Sequence, residues 1–408
     1  MHSSYTQVAN ADRTLVDTSI GSSIALYAAL FTIILYVGSV HNVLFSILPT
    51  IKPLYWYVVT VGLACAIGLA RSEDVIRGLP SVLILWLLVY LAQLIITFLY
   101  SSQSVAAEDQ FIKGLQTVAL LASCTVLFSS CSGNKMIPTV LAVIVVFATL
   151  VNLYDFVFER FTTAGGRAAG FYGNPNTSGK TIALTMVLGC VALPRKFRFL
   201  FCAIAGFGVL LTFSRSSWLL WALAIIGLAA TGNLALKTKS FAVLIFGGSG
   251  LILLYALMSG VALDFFYLTG LDRYLTDNTL SRIGGTASAF EDSSTAARLN
   301  MIKVGFTAFG ENPWFGAGLG ATSEWLTVDR PHNLFLLIAV ESGVFGLLIF
   351  LGLLIGIWRT VDSVGRVALL VYMVSSLFAH TNLEQAGFLC LVALIATERR
   401  PRESCEVR

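Results

Sequence analysis

The chain has 408 residues, of which 57% are hydrophobic and only 12% charged, with a mean hydropathy of +0.82; a water-soluble domain carries about 25% charged residues, so water is not the main solvent of this protein. The formal net charge of +4 is modest and comes from short basic loops, which gives a nucleic-acid partner no support. The seven cysteines (Cys65, Cys124, Cys131, Cys190, Cys202, Cys390 and Cys405) lie in or beside apolar segments or in the basic tail, and they show neither a disulfide framework nor zinc-ligand spacing.

The stretch up to Ser19 is polar and leads into an apolar segment without a small-residue cleavage site, so no removed signal peptide is expected. Apolar runs that can satisfy their own backbone as helices in lipid then start near Ile24, Leu54, Pro80, Gly114, Met136, Ser178, Phe197, Ser216, Phe241, Asn333, Val367 and Glu384. The expected fold class is therefore all-α: one polytopic membrane domain over residues 1–408 with about twelve transmembrane helices, and within it a long loop over 260–331 that carries a helix of its own.

Basic residues mark every second loop: Arg71 and Arg77, Lys135, Arg195 to Arg198, Lys237 and Lys239, Arg359 and Arg366, and the tail from Arg399. The positive-inside rule makes those loops and both termini cytoplasmic. Arg167, Lys180, Arg215, Arg298, His332 and His380 then all fall on the opposite, external side, against the general tendency. A single external arginine is ordinary; the group asks for a reason.

In the long external loop, Ser293 and Ser294 are capping candidates, and Leu299, Ile302, Phe306 and Phe309 follow at helical spacing. They predict an amphipathic helix with Arg298 in its first turn. The next stretch, Asn312 to Gly320, has a proline turn and glycines at 316, 318 and 320. Such backbone can approach a ligand closely, although it is also common punctuation and matches neither the P-loop nor the dinucleotide fingerprint.

Taken in order, Gly170-Phe171-Tyr172-Gly173-Asn174-Pro175-Asn176 opening a span, Thr212-Phe213-Ser214-Arg215-Ser216 between two spans, Arg298 through Gly320 leading to His332-Asn333-Leu334-Phe335-Leu336, and then Glu341, Gly343 and Gly346 resemble the O-antigen ligase and O-antigen polymerase family of bacterial membrane glycosyltransferases, most closely the ligase. The resemblance covers Gly170 to Phe350. It implies an undecaprenyl-pyrophosphate-linked glycan as donor, transferred to an acceptor hydroxyl outside the cytoplasmic membrane. For the ligase that acceptor is a lipid A-core sugar, in lipopolysaccharide biosynthesis. The implied location is the inner membrane, with the active site facing the periplasm.

On this resemblance His332 is the catalytic base, since an imidazole is suited to take a hydroxyl proton at neutral pH. Arg215 and Arg298 would hold the donor pyrophosphate through paired charge-assisted hydrogen bonds and, if close to His332, keep it neutral. The blander reading makes Arg215 a snorkelling interfacial residue and Arg298 part of a solvated helix face. Asn174, Asn176, Lys180 and Arg167 are possible substrate contacts, with turn chemistry around Pro175 the alternative for the asparagines and a mobile-looking loop the setting of Arg167. Asn333 either orients the site or caps the helix it precedes. His380 and Glu384 are an alternative source of a base, while Lys303 and Arg330 are expected to be solvated charges.

The external loops hold no paired-carboxylate metal motif, and Glu291 with Asp292 has no third carboxylate near it in sequence, so neither a metal nor another cofactor is expected. With no nucleophilic carboxylate in view, direct displacement would invert the anomeric centre. A polymerase using the same donor is the nearest alternative. A lipid or glycan transporter is the second, opposed by charges that cluster at span ends rather than at mid-membrane.

Overall fold

A computed structural model of the chain describes residues 21–234, 293–325 and 329–398, and among these the regular structure is helical, without a strand. The first helices are α1 (Gly21–Tyr36), α2 (Val40–Ile47), α3 (Pro53–Ala70), α4 (Ser72–Gly78), α5 (Ser81–Tyr100), α6 (Val105–Ser129) and α7 (Met136–Phe158). They are followed by α8 (Pro175–Gly189), α9 (Arg195–Leu210), α10 (Arg215–Ala230), α11 (Ser293–Glu311), α12 (Leu334–Thr360), α13 (Ser363–Ser376) and α14 (Ala386–Thr397).

Five of these (α3, α5, α6, α7 and α12) are long and apolar enough to cross a membrane, and α1 with α2, bent by 64°, makes a sixth if the pair is one span. Helices also stand at the other predicted starts within the described residues, but α8, α9, α10, α13 and α14 have only 15, 16, 16, 14 and 12 residues. At 1.5 Å per residue none of them covers about 30 Å of hydrocarbon. The described residues thus supply five or six spans by length and composition, fewer than the twelve read from the sequence; the start near Phe241 lies outside them.

The start of α6 also differs from the expected one. It begins at Val105 rather than near Gly114, because Ser104 Oγ accepts from Ala107 N at 3.2 Å and Glu108 complements the positive end of the helix. Lys113 pairs with Asp109 at 2.7 Å one turn further on. Apolar residues mark the immersed part of a helix; caps and charge pairs extend it beyond.

Helix α8 is buried from Ser178 to Gly189. Its small residues let neighbours approach: a Cβ on Gly179 would lie 2.5 Å from Ser217 Cβ, and one on Gly189 2.8 Å from the backbone of Ala142. The loops sort onto two ends of the bundle. At one, Arg198 donates to the carbonyls of Leu193, Val191 and Asn233, Arg71 to that of Ser130, and Ser132 to that of Thr397, which joins the basic loops. At the other, Gln110 meets Glu384 and Arg330, Thr117 donates to the Leu383 carbonyl, and Gln385 donates to Thr177. The alternation in the sequence is therefore a physical separation.

Within α12, Gly343 leaves the helical conformation (φ 65°, ψ −163°), and the glycine-rich loop docks on the break. Ala317 N donates to Val340 O at 2.8 Å, Gly318 N to Glu341 O at 3.1 Å and Val344 N to Pro313 O at 2.8 Å. On its other side the loop is held by Leu319 N donating to Ser101 Oγ at 2.8 Å and by the close approach of Gly320 to Ala106. Close backbone approach is indeed what these glycines allow, but the partner is the protein's own backbone rather than a ligand.

Of the expected loop over 260–331, residues 260–292 and 326–328 lie outside the described residues; α11 is present within it. Its apolar stripe faces the other way from a core helix. Leu299 and Phe306 are each 62% exposed, while Met301 and Gly305 are buried, with Gly305 against Leu336 of α12. The helix packs through Met301 and Gly305, the latter close against the Leu336 side chain, and Leu299 and Phe306 are left outward.

Candidate active site

A cavity of about 450 Å³ opens at the end of the bundle away from the basic loops, and His332, His380, Lys180, Asn174 and Asn176 all line it. The chain brings them there from three helix starts. His332 precedes α12 and is exposed. Asn333, the next residue, is the N-cap of that helix, its Oδ1 accepting from Leu336 N at 3.2 Å. The cap fixes the turn on which His332 sits, and Asn333 itself does not line the cavity.

His380 opens the short turn His380–Leu383 between α13 and α14. Its ring centroid lies 5.4 Å from that of His332, with the planes 41° apart. Burial is the main cause that pulls the His380 pKa down to about 4, and the nearby His332, Arg330, Lys180 and Lys113 add to it. His380 is therefore neutral at physiological pH. Residues His380 and Glu384 also line a second, smaller cavity of about 60 Å³ between α5, α6 and α12.

Lys180 lies in the second turn of α8 and is 3% exposed. Its Nζ is 3.5 Å from Asn382 Oδ1 and 5.4 Å from the centroid of the Phe388 ring. Asn382 is oriented by donating to Ser375 Oγ at 2.7 Å and Ser376 Oγ at 3.1 Å. Asn174 caps α8, accepting from Asn176 N at 2.9 Å and Thr177 N at 3.4 Å, so the turn reading holds for it even as it lines the cavity.

Arg167 is anchored within its loop. It is buried, donating from Nε to Thr212 O and from Nη2 to Asn176 Oδ1, each at 3.0 Å. The loop around it is gathered by Asp155, a fully buried carboxylate near the end of α7. Oδ1 accepts from Phe161 N and Thr162 N, and Oδ2 from Ala169 N and Gly170 N, at 2.7 to 3.3 Å. Arg167 thus ties this loop to the Thr212 turn and to the wall of the cavity. Asp155 escaped the sequence analysis; the available signal was a lone acid in an otherwise uncharged run of 23 residues.

Arg215 is exposed and opens α10. It does not line the cavity, but Ser217 in the same turn donates to the Asn176 carbonyl at 3.4 Å, which sets this helix start against the cavity wall. A cation at the positive end of a helix is placed against the macrodipole, an arrangement that an anion relieves. Arg298 lies in the second turn of α11, and its side chain is outside the described residues. Arg330, expected to be solvated, is half-buried and held by Gln110 Oε1 at 3.3 Å and by Ser323 Oγ, because the chain before His332 lies across the start of α6. Lys303 is exposed, as expected. Among the described residues no group of three or more His, Cys, Asp or Glu is placed to hold a metal ion.

The family model for O-antigen ligase matches residues 200–351. No curated protein matches the chain. The matched stretch includes the Thr212–Ser216 turn, the glycine loop, His332 and α12 as far as residue 351, past its break, whereas the α8 wall and the His380 turn lie outside it. With apolar helices suited to a membrane, the chain is similar to O-antigen ligase over residues 200–351, the stretch that bears Arg215, Arg298 and His332.

Proposed function

We propose that the protein is an O-antigen ligase, which transfers a glycan from undecaprenyl pyrophosphate to a hydroxyl of a lipid A-core sugar on the periplasmic side of the inner membrane. The observation that carries this reading is the placement of His332 on the wall of a cavity large enough for sugar residues, at the end of the bundle opposite the basic loops. His332 takes the proton from the acceptor hydroxyl. The acceptor oxygen forms its bond to the anomeric carbon as the bond from that carbon to the pyrophosphate oxygen breaks, with inversion, and undecaprenyl pyrophosphate leaves. Arg215 and Arg298 hold the charge that develops on the leaving group, a role for which a guanidinium stays charged at any working pH. No metal takes part.

Asn174 and Asn176 form the wall against which the sugars lie, Lys180 is a further substrate contact in the same cavity, Arg167 holds Asn176 in place, and Asn333 sets the turn of His332. The test is a reconstituted assay with undecaprenyl-pyrophosphate glycan, lipid A core and a chelator. Glycan on lipid A core, lost in His332→Ala, Arg215→Ala and Arg298→Ala, supports the ligase. Longer glycans still on undecaprenyl pyrophosphate make the protein a polymerase, and transport without transfer makes it a carrier.

A further inference from the structure

Lys180 presents an unbalanced charge. An ammonium group has three hydrogens to donate, and in the described residues Nζ finds one amide oxygen at the long distance of 3.5 Å and the face of Phe388. No carboxylate of the described residues forms an ion pair with it. Glu384, the acid that lines the same cavity, has Oε1 engaged by Gln110 Nε2 at 3.0 Å. Burial without a counter-charge is costly, and the surroundings of Lys180 do not offset it.

The neighbouring groups also have hydrogen-bonding capacity unused. His380 Nδ1 and Gln385 Oε1 are buried without a hydrogen-bond partner, and both residues line the cavity with Lys180. Polar atoms short of partners therefore meet at a cavity that has room for a ligand: the Lys180 ammonium, which donates, a His380 ring nitrogen, and the Gln385 amide oxygen, which can accept from a protonated ligand oxygen. These residues stand outside the matched family stretch and apart from Arg215, which does not line this cavity.

We propose that Lys180, oriented by Asn382, is the anion-binding group of a second phosphoryl subsite in this cavity, with the His380 ring as a hydrogen-bonding neighbour. The ligand class is a phosphoryl group carried by one of the two substrates: a phosphate of the donor pyrophosphate that reaches past the arginines, or a phosphate substituent of the acceptor sugar. This deepens the ligase reading and rests on it only for the naming of those two sources.

The experiment titrates the full-length protein in nanodiscs with inorganic pyrophosphate and, separately, with inorganic phosphate, by calorimetry, for the parent, Lys180→Met and Lys180→Arg. Affinity in the parent is expected to fall about tenfold or more in Lys180→Met, the loss of one charge-assisted hydrogen bond, and to be retained in part by Lys180→Arg. Removing the buried charge should leave the thermal midpoint of Lys180→Met at or above that of the parent, which shows that the fold is kept. Parent-like binding by Lys180→Met, or no binding by the parent, overturns the subsite.

Initial rates then separate the sources. A rise in KM for the donor places the phosphoryl group on the donor; a rise in KM for the acceptor that vanishes when the acceptor is dephosphorylated places it there; no change in either KM overturns the proposal. If the parent transfers no glycan, the ligase reading falls while the titration still decides the subsite.

Discussion

His332 and His380, separated by the whole of α12 and α13 in sequence, hold their rings 5.4 Å apart at the cavity wall. One is exposed and the other is kept neutral by burial among cations, so the two imidazoles are not equivalent. In the ligase assay His332→Gln is expected to lower the transfer rate about 100- to 10,000-fold, the usual contribution of a general base, while His380→Gln retains most of it. The opposite ranking would move the base to His380.

The burial of His380 sets a pH dependence of stability. His380 has a folded pKa of about 4 against an ordinary 6.5, so between these values the unfolded chain binds the proton and the folded one does not. Stability therefore falls as pH drops from about 6.5 towards 4 and is independent of this group above that window. Thermal midpoints measured from pH 7.5 to 4.5 should fall less steeply in His380→Gln than in the parent; parallel curves would contradict the assignment.

Asp155 accepts four backbone N–H groups from the loop that presents Asn174 and Arg167. Asp155→Ala leaves those donors without their carboxylate, and a loss of about 3 kcal/mol or more is expected. Arg167→Lys should not rescue the neighbouring link, because one ammonium cannot span the Thr212 carbonyl and the Asn176 amide as the planar guanidinium does. Denaturation midpoints in detergent check both, and parent-like values for either variant would refute the corresponding argument.

At the break in α12, a Cβ on Gly343 would run into the carbonyl of Trp314, and the residue has positive φ. Gly343→Ala is expected to cost more than about 1–2 kcal/mol, the left-handed penalty alone, and to lower transfer because His332 adjoins the N-cap of the same half-helix. Gly352, in the same helix with nothing within 4 Å of its Cβ position, is the control. Gly352→Ala should stabilise by about 0.5–1 kcal/mol, and a matching loss at both positions would show that helix composition rather than the docked loop is responsible.

Much of this arrangement was legible in the sequence because its determinants are local. The apolar runs, the asparagines before α8 and α12, and the alternation of basic loops each act within a few residues, and each has a counterpart in the structure. What was not legible depends on partners distant in the chain. Arg330 looks solvated until Gln110 is brought to it, the Arg167 loop looks mobile until Asp155 gathers it, and which face of α11 is covered depends on where Leu336 of α12 lies. Span number is not decided by composition alone: helices buried among others, such as α8, are shorter than the five that are long and apolar enough to cross a membrane.

The break at Gly343 makes two rods of one helix, and the rod that ends at His332 is located by main-chain atoms of the 312–320 loop. Main-chain hydrogen bonds are indifferent to which side chains flank them, glycine positions aside. Substitutions on the outer surface of α12 that tune it to a different bilayer can therefore accumulate without shifting the imidazole, so adaptation to a new lipid and retention of the reacting group are governed by separate sets of positions.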